Sequence, residues 1–340
     1  MKKIFPTRKK GISFLPKKWI LAICLVSIAG NTPATQPPKS GKAYVVSNAH
    51  LDTQWLWTVR TSIIDYIPRT IYQNLALIHD YPDYIFNFEG AVKYNWMKEY
   101  YPLDYEKVKE AIKNGRWHVS GSSWDANDVN VPSPESSFRN ILLGQEFYKK
   151  EFGLKSTDIF LPDCFGFGYT LPSIAKHCGL IGFSTQKLGW RKKPFYGDSK
   201  IPFTIGRWKG IDGAELICAL DCGSYVHNFK DDDLTKDNDL IQSVERDPMR
   251  TAYRYFGAGD RGGSAMPVSA MAIEKAQVSG DGPIEIVCAS SDQLYKDYLH
   301  SGKVKELPVF DGELLMDVHA SGCYTSQSAM KRFNRRNEQL

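Results

Sequence analysis

Short apolar runs alternate along this chain with stretches of helical spacing, and that alternation leaves it few folds. Residues 45–47, 85–88, 117–120, 159–161, 182–185, 216–220 and 284–288 read as strands. Between them, 105–114 and 134–152 carry helical periodicity, the second behind a capping signal at Ser133. Strands joined through helices run parallel, and a parallel α/β sheet offers ligands the carboxyl ends of its strands. With 340 residues, 42% of them hydrophobic, the chain can bury one large core of this kind.

The net charge of +5 invites an acidic partner until its distribution is considered. Seven of the 43 Lys and Arg residues lie in 1–30, which holds no acid, so 36 basic side chains face 38 acidic ones beyond it. The balance is near neutral there, which removes the electrostatic case for nucleic-acid binding. The basic stretch ends at Lys18 and is followed by an apolar run over 19–29 with small residues Ser27, Ala29 and Ala34 at cleavage spacing. This pattern predicts an export signal over 1–30, a Pro-rich linker over 31–42 and a periplasmic or extracellular protein. The run is shorter than the roughly 20 residues that span a bilayer, so no stable membrane span is expected in the mature chain. Beyond it, Cys164, Cys178, Cys218, Cys222, Cys288 and Cys323 show no Cys-x-x-Cys spacing and read as buried free thiols, with room for one bridge in an oxidising compartment.

Four polar residues stand out by context: His50, Asp52, Asp163 and His319. His50 and Asp52 follow the apolar run 43–46, and residues two apart on a strand share a face. One strand end thus presents an imidazole beside a carboxylate, donors suited to Zn²⁺. Taken alone, a His-x-Asp pair reads first as a solvated or hydrogen-bonded pair, and an Asp in Pro-Asp-x-x-Gly, as at Asp163, is most often a turn former.

Four segments, in order, carry a resemblance that changes this balance. The segment from Asn48 to Trp57 (NAHLDTQWLW), that from Trp124 to Arg139 (WDANDVNVPSPESSFR), that from Leu161 to Gly168 (LPDCFGFG) and that from His319 to Gln327 (HASGCYTSQ) resemble motifs of glycoside hydrolase family 38, the zinc-dependent α-mannosidases. The resemblance implies a parallel-stranded (β/α)7-type barrel over 43–305, followed by the start of a helical domain over 306–340. It implies a retaining exo-α-mannosidase that removes terminal α-linked mannose from glycans through a covalent mannosyl-aspartate. His50, Asp52, Asp163 and His319 would hold the zinc, and Asp163 would also be the nucleophile. Trp55, Asp128 and Tyr324 are expected to contact the sugar, Trp55 by stacking on its apolar face.

Glycoside hydrolysis also needs a proton donor. The run from Phe256 to Gly263 (FGAGDRGG) resembles the Gly-rich loop that supplies it in one branch of the family, which points to Asp260, with Asp292 as the fallback. Arg261 stands beside Asp260, and pairing with it would lower a pKa that a general acid needs raised. Glu135 and Arg139, four apart on a helix, are expected to form a supporting ion pair.

Family members continue for several hundred residues beyond the His319 motif, whereas this sequence stops at Leu340, inside what reads as the first helix of the next domain. A truncated, non-catalytic sugar- or metal-binding remnant is therefore the alternative reading. A zinc-dependent carbohydrate deacetylase shares the ligand types but fits the settings of Trp55 and His319 poorly. Co²⁺ and Ca²⁺ remain possible occupants beside Zn²⁺.

Overall fold

The computed structural model describes residues 39–126, 128–189, 201–230, 232–316 and 328–340. The expected export signal lies outside this range, as do His319 and Tyr324. Ten strands are described: β1 (Gly41–Ala49), β2 (Phe86–Glu89), β3 (Trp117–Ser120), β4 (Asp158–Phe160), β5 (Gly182–Ser184), β6 (Ile205–Lys209), β7 (Glu215–Ala219), β8 (Thr251–Ala258), β9 (Ile284–Cys288) and β10 (Val309–Asp311).

They form two five-stranded sheets. In the first, β3, β2, β1 and β8 lie side by side, β9 runs along the first half of β1, and every pairing is parallel. In the second the order is β10-β6-β7-β5-β4, with β6 antiparallel to β7 and the other pairings parallel. The expected alternation and parallel sense are present. The ladders among the described residues, however, make two sheets and not one closed ring of seven strands, and β6 reverses direction. Of the expected helical domain, one helix is described, Ser328–Gln339.

Apolar burial holds the layers together. Trp117 on β3 is buried, stacks edge-on against Phe86 of β2 and donates its indole N–H to the Tyr94 hydroxyl at 2.9 Å. Helix Pro134–Phe152 begins as its sequence requires, with Ser133 Oγ accepting from Ser136 N, and ends at Gly153 in the left-handed conformation. Within it, Gly144 lies so close to the loop after β3 that a Cβ would sit 2.4 Å from the Ser122 carbonyl oxygen. That close packing braces the segment leading to Asp128. Glu135 and Arg139 pair as expected, on the exposed face. Cys164, Cys178, Cys218, Cys222 and Cys288 form no disulfide. No helix among the described residues is long and apolar enough to cross a membrane.

Asp292 belongs to a buried polar knot joining the sheets. It accepts from Thr157 Oγ1 at 2.6 Å and Ser290 Oγ at 2.8 Å, pairs with Lys296 Nζ at 2.6 Å, and faces His118. Burial alone would raise its pKa, but His118, Lys296 and Thr157 outweigh burial and hold it at about 2. A carboxyl depressed in the folded state stabilises above its unfolded pKa and loses that contribution as pH falls through the folded value. Neighbouring Asp158, which burial and Asp292 push upward, has the opposite sign. Asp292→Asn is therefore expected to cost about 2 kcal/mol at neutral pH and to flatten the loss of stability between about pH 4 and 2. Denaturant melts across that range check this, and parallel acid limbs for both proteins would refute it.

Candidate metal centre

Strand β1 carries the first two site residues past its own end. His50 N donates to Ala258 O at 3.1 Å, Asp52 N to Asp260 O at 2.9 Å and Gly262 N to His50 O at 3.0 Å, so the segments after β1 and β8 run on as a paired ribbon. Asn48 anchors the turn: its amide donates to Tyr225 O and Phe256 O, and its Oδ1 accepts from His50 N. Asp163 arrives from the second sheet, three residues beyond β4.

These elements bring His50, Asp52 and Asp163 together. His50 Nε2 lies 3.3 Å from Asp52 Oδ1 and 3.8 Å from Asp163 Oδ2, and one ligand atom from each of the three falls within 4.8 Å of the others. Nδ1 of the same ring meets Glu89 Oε1 at 2.9 Å, and Glu89 is in turn paired with Lys93 at 2.9 Å. Burial opposes charge on His50, but its hydrogen bonds to Asp52 and Glu89 outweigh burial and raise its pKa to about 10. For Glu89, burial is outweighed by Lys93 and His50, which hold it at about 2. An imidazole nitrogen facing two carboxylates fits Zn²⁺, or another divalent ion that accepts nitrogen and oxygen donors.

The cleft at this point has a volume of about 560 Å³ and is lined by His50, Asp52, Asp128, Asp163, Cys164 and Phe165, with Met330, Lys331 and Asn334 of helix Ser328–Gln339 at its rim. That helix is tied down through Glu338, which accepts from Ser133 N at 2.8 Å and Ser136 Oγ at 2.7 Å. Burial and the nearby Asp128 and Asp163 push the Cys164 thiol upward, which keeps it a neutral wall. Asp128 lines the cleft, and its Oδ1 also accepts from Asn130 N and Val131 N, shaping the loop on which it sits.

Other expected residues fall into place differently. Asp260 has a left-handed backbone at φ 62° and accepts from the Tyr225 hydroxyl at 2.7 Å; the Tyr225 ring meets His50 edge-on. The guanidinium of Arg261 lies over the Trp57 ring. Trp55 is 60% exposed, edge-on to Trp57, and stands outside the lining of the cleft. Asp292 does not line it either; its carboxylate is spent in the buried knot. His319 and Tyr324 lie outside the described residues.

Sequence reasoning passed over Glu89, Lys93, Lys187 and Tyr225. Lys187, buried after β5, forms an ion pair with Asp163 Oδ1. Glu89 and Lys187 each stand at or just beyond the end of an apolar strand, the same signal that exposed His50 and Asp163.

The family model "Glycosyl hydrolases family 38 N-terminal domain" matches residues 40–313. The chain is 33% identical over 299 residues to alpha-mannosidase G of Dictyostelium discoideum, covering 86% of this chain and 26% of that protein. It is 30% identical over 301 residues to alpha-mannosidase 2C1 of Homo sapiens, covering 87% and 28%. The chain thus spans about a quarter of the length of these curated relatives. Among solved structures, an alpha-mannosidase from Enterococcus faecalis V583 superposes with a TM-score of 0.65 at 21% identity, covering 81% of this chain and 31% of that one. A 4-alpha-glucanotransferase from Thermococcus litoralis reaches 0.51 at 12% identity, covering 76% and 40%. At such identities the likeness concerns the fold alone.

Proposed function

The chain belongs to glycosyl hydrolase family 38, and from that premise we propose that it carries the catalytic region of a zinc-dependent, retaining α-mannosidase acting on terminal α-linked mannose of glycans. The observation that carries this reading is the meeting of His50, Asp52 and Asp163 at strand ends of two sheets, inside the matched region. His50, Asp52 and Asp163 would hold the ion, with His319 as a further ligand. The ion would supply Lewis acidity and a fixed point for sugar hydroxyls.

The chain's own groups do the rest. Asp163 attacks the anomeric carbon as the bond to the leaving oxygen breaks, and Asp260 gives that oxygen a proton. Water then displaces the sugar from Asp163, surrendering its proton to Asp260 and restoring both carboxyl groups. Tyr225, donating to Asp260, fixes the direction of that carboxylate. Lys187 holds Asp163 Oδ1, and Asp128 in the cleft lining and Tyr324 would contact the sugar, with Trp55 reaching it from outside that lining. The same proposal takes in the expected organisation: an export signal over 1–30 with export of the mature chain, a barrel-like catalytic region over 43–305, and a helical domain beginning in 306–340.

Two measurements test it together. The purified chain, loaded with zinc, is expected to hydrolyse an aryl α-mannoside, lose activity to a chelator and regain it with zinc. With a fluorinated mannosyl donor that slows the second step, mass spectrometry is expected to find one sugar on the peptide holding Asp163. A folded, zinc-loaded protein that neither turns over nor forms the adduct would overturn the reading.

A further inference from the structure

We infer that Glu89 and Lys93 are positioning residues of the metal centre: Glu89 holds the His50 ring with Nε2 facing Asp52 and Asp163, and Lys93 keeps Glu89 itself out of the ligand set. This rests on the metal reading proposed above.

The geometry is specific. An imidazole fixed at Nδ1 has only Nε2 left to offer, and the 2.9 Å contact with Glu89 Oε1 makes that choice for His50. Glu89 ends β2, next to the strand that delivers His50, and it is 1% exposed. The same oxygen accepts from Lys93 Nζ at 2.9 Å, and Lys93 is wholly buried. Oε2 of Glu89 has no hydrogen-bond partner, so His50 and Lys93 are the whole of its hydrogen-bonding environment among the described residues.

The backbone is shaped to allow this. Gly90 between them adopts φ 87°, and a Cβ there would stand 3.3 Å from Lys93 Nζ, against the path by which the side chain returns to Glu89. A buried ion pair seldom adds net stability, because desolvating two charges costs about what their attraction returns. Two apolar side chains would serve the core as well. What they would not supply is a carboxylate aimed at Nδ1 of a candidate ligand, neutralised so that it neither drifts toward the cation nor adds a third negative charge to the site.

Co²⁺ titration of the full chain, read by its visible absorption band, tests the assignment. Glu89→Gln retains an acceptor for Nδ1–H but loses the charge, and is expected to weaken Co²⁺ binding about tenfold. Glu89→Met combined with Lys93→Met removes both charges together and is expected to weaken it about a hundredfold, with an altered band. A pair that serves only the core would shift the melting temperature and leave Co²⁺ affinity within about twofold in any variant that folds; that result overturns the proposal. Should neither variant fold, nitrogen-15 spectra of the zinc-loaded wild type decide: a proton on Nδ1 of His50 is expected, and a proton on Nε2 overturns the assignment. A wild-type chain that binds no Co²⁺ overturns the metal reading and this proposal with it, whereas binding that ignores the variants overturns this proposal alone.

Discussion

Asp163→Ala is expected to lower turnover of an aryl α-mannoside by roughly ten-thousand-fold or more, the scale on which loss of a covalent nucleophile is felt. In the proposed mechanism one side chain has two tasks, since the carboxylate that attacks the sugar also faces His50 Nε2 in the candidate ion site. Asp163→Asn separates them. It keeps an oxygen for the cation but no nucleophilic carboxylate, so it is expected to lose turnover as fully while retaining more of the metal affinity. Steady-state rates beside metal titrations read both effects. Activity of either variant within tenfold of wild type would move the nucleophile elsewhere.

Gly257→Ala carries the largest expected effect on stability. Gly257 sits in β8 opposite Asn48 of β1, at φ 138°, and a Cβ there would lie 1.9 Å from the Asn48 carbonyl oxygen. Neither strand can yield, because both are buried and their registry continues into the ribbon carrying His50 and Asp260. The cost is on the order of 3–5 kcal/mol, or roughly 5–10 °C in melting temperature. Gly115→Ala is the comparison: at φ 71° it carries only the smaller left-handed backbone penalty, and nothing lies within 4 Å of the added carbon. Equal melting temperatures for the two variants would show that the close approach at Gly257 is not what matters.

Much of this was legible in the sequence, for identifiable reasons. Helix Pro134–Phe152 and strands β3 and β9 fall where their spacing predicts, because each has one dominant apolar pattern with clear stops. Strand β8, which pairs along nearly all of β1, escaped because Arg254 interrupts its apolar face and Gly257 gives its end the look of a loop. The guanidinium of Arg254 is accommodated by the Asp221 carbonyl and Ser243 hydroxyl, partners remote in sequence. Strands β6 and β10 were hidden similarly, by Arg207, Lys209 and Asp311, whose charges are paired with side chains of neighbouring strands.

At the site, His50, Asp52 and Asp163 announced themselves as polar residues trailing apolar runs. Glu89 and Lys187 trail apolar strands too, but what they do rests on contacts to His50 and Asp163 that only folding creates, while Lys93 matters through Glu89 four residues away and Tyr225 through Asp260. The proton-donor question shows the same limit. Adjacency in sequence set Arg261 against Asp260, yet in three dimensions the guanidinium has gone to Trp57.

His50 and Asp52 follow a strand of one sheet and Asp163 a strand of the other. A cation gripping all three would therefore act as a rivet between two sheets that share no ladder among the described residues. The two sheets also meet in one shared core, where Val46 and Tyr255 cluster with Phe160 and Ile217, so loading such an ion should raise the temperature of a single cooperative melt, and an ion proposed for the chemistry would also tighten the junction between the sheets.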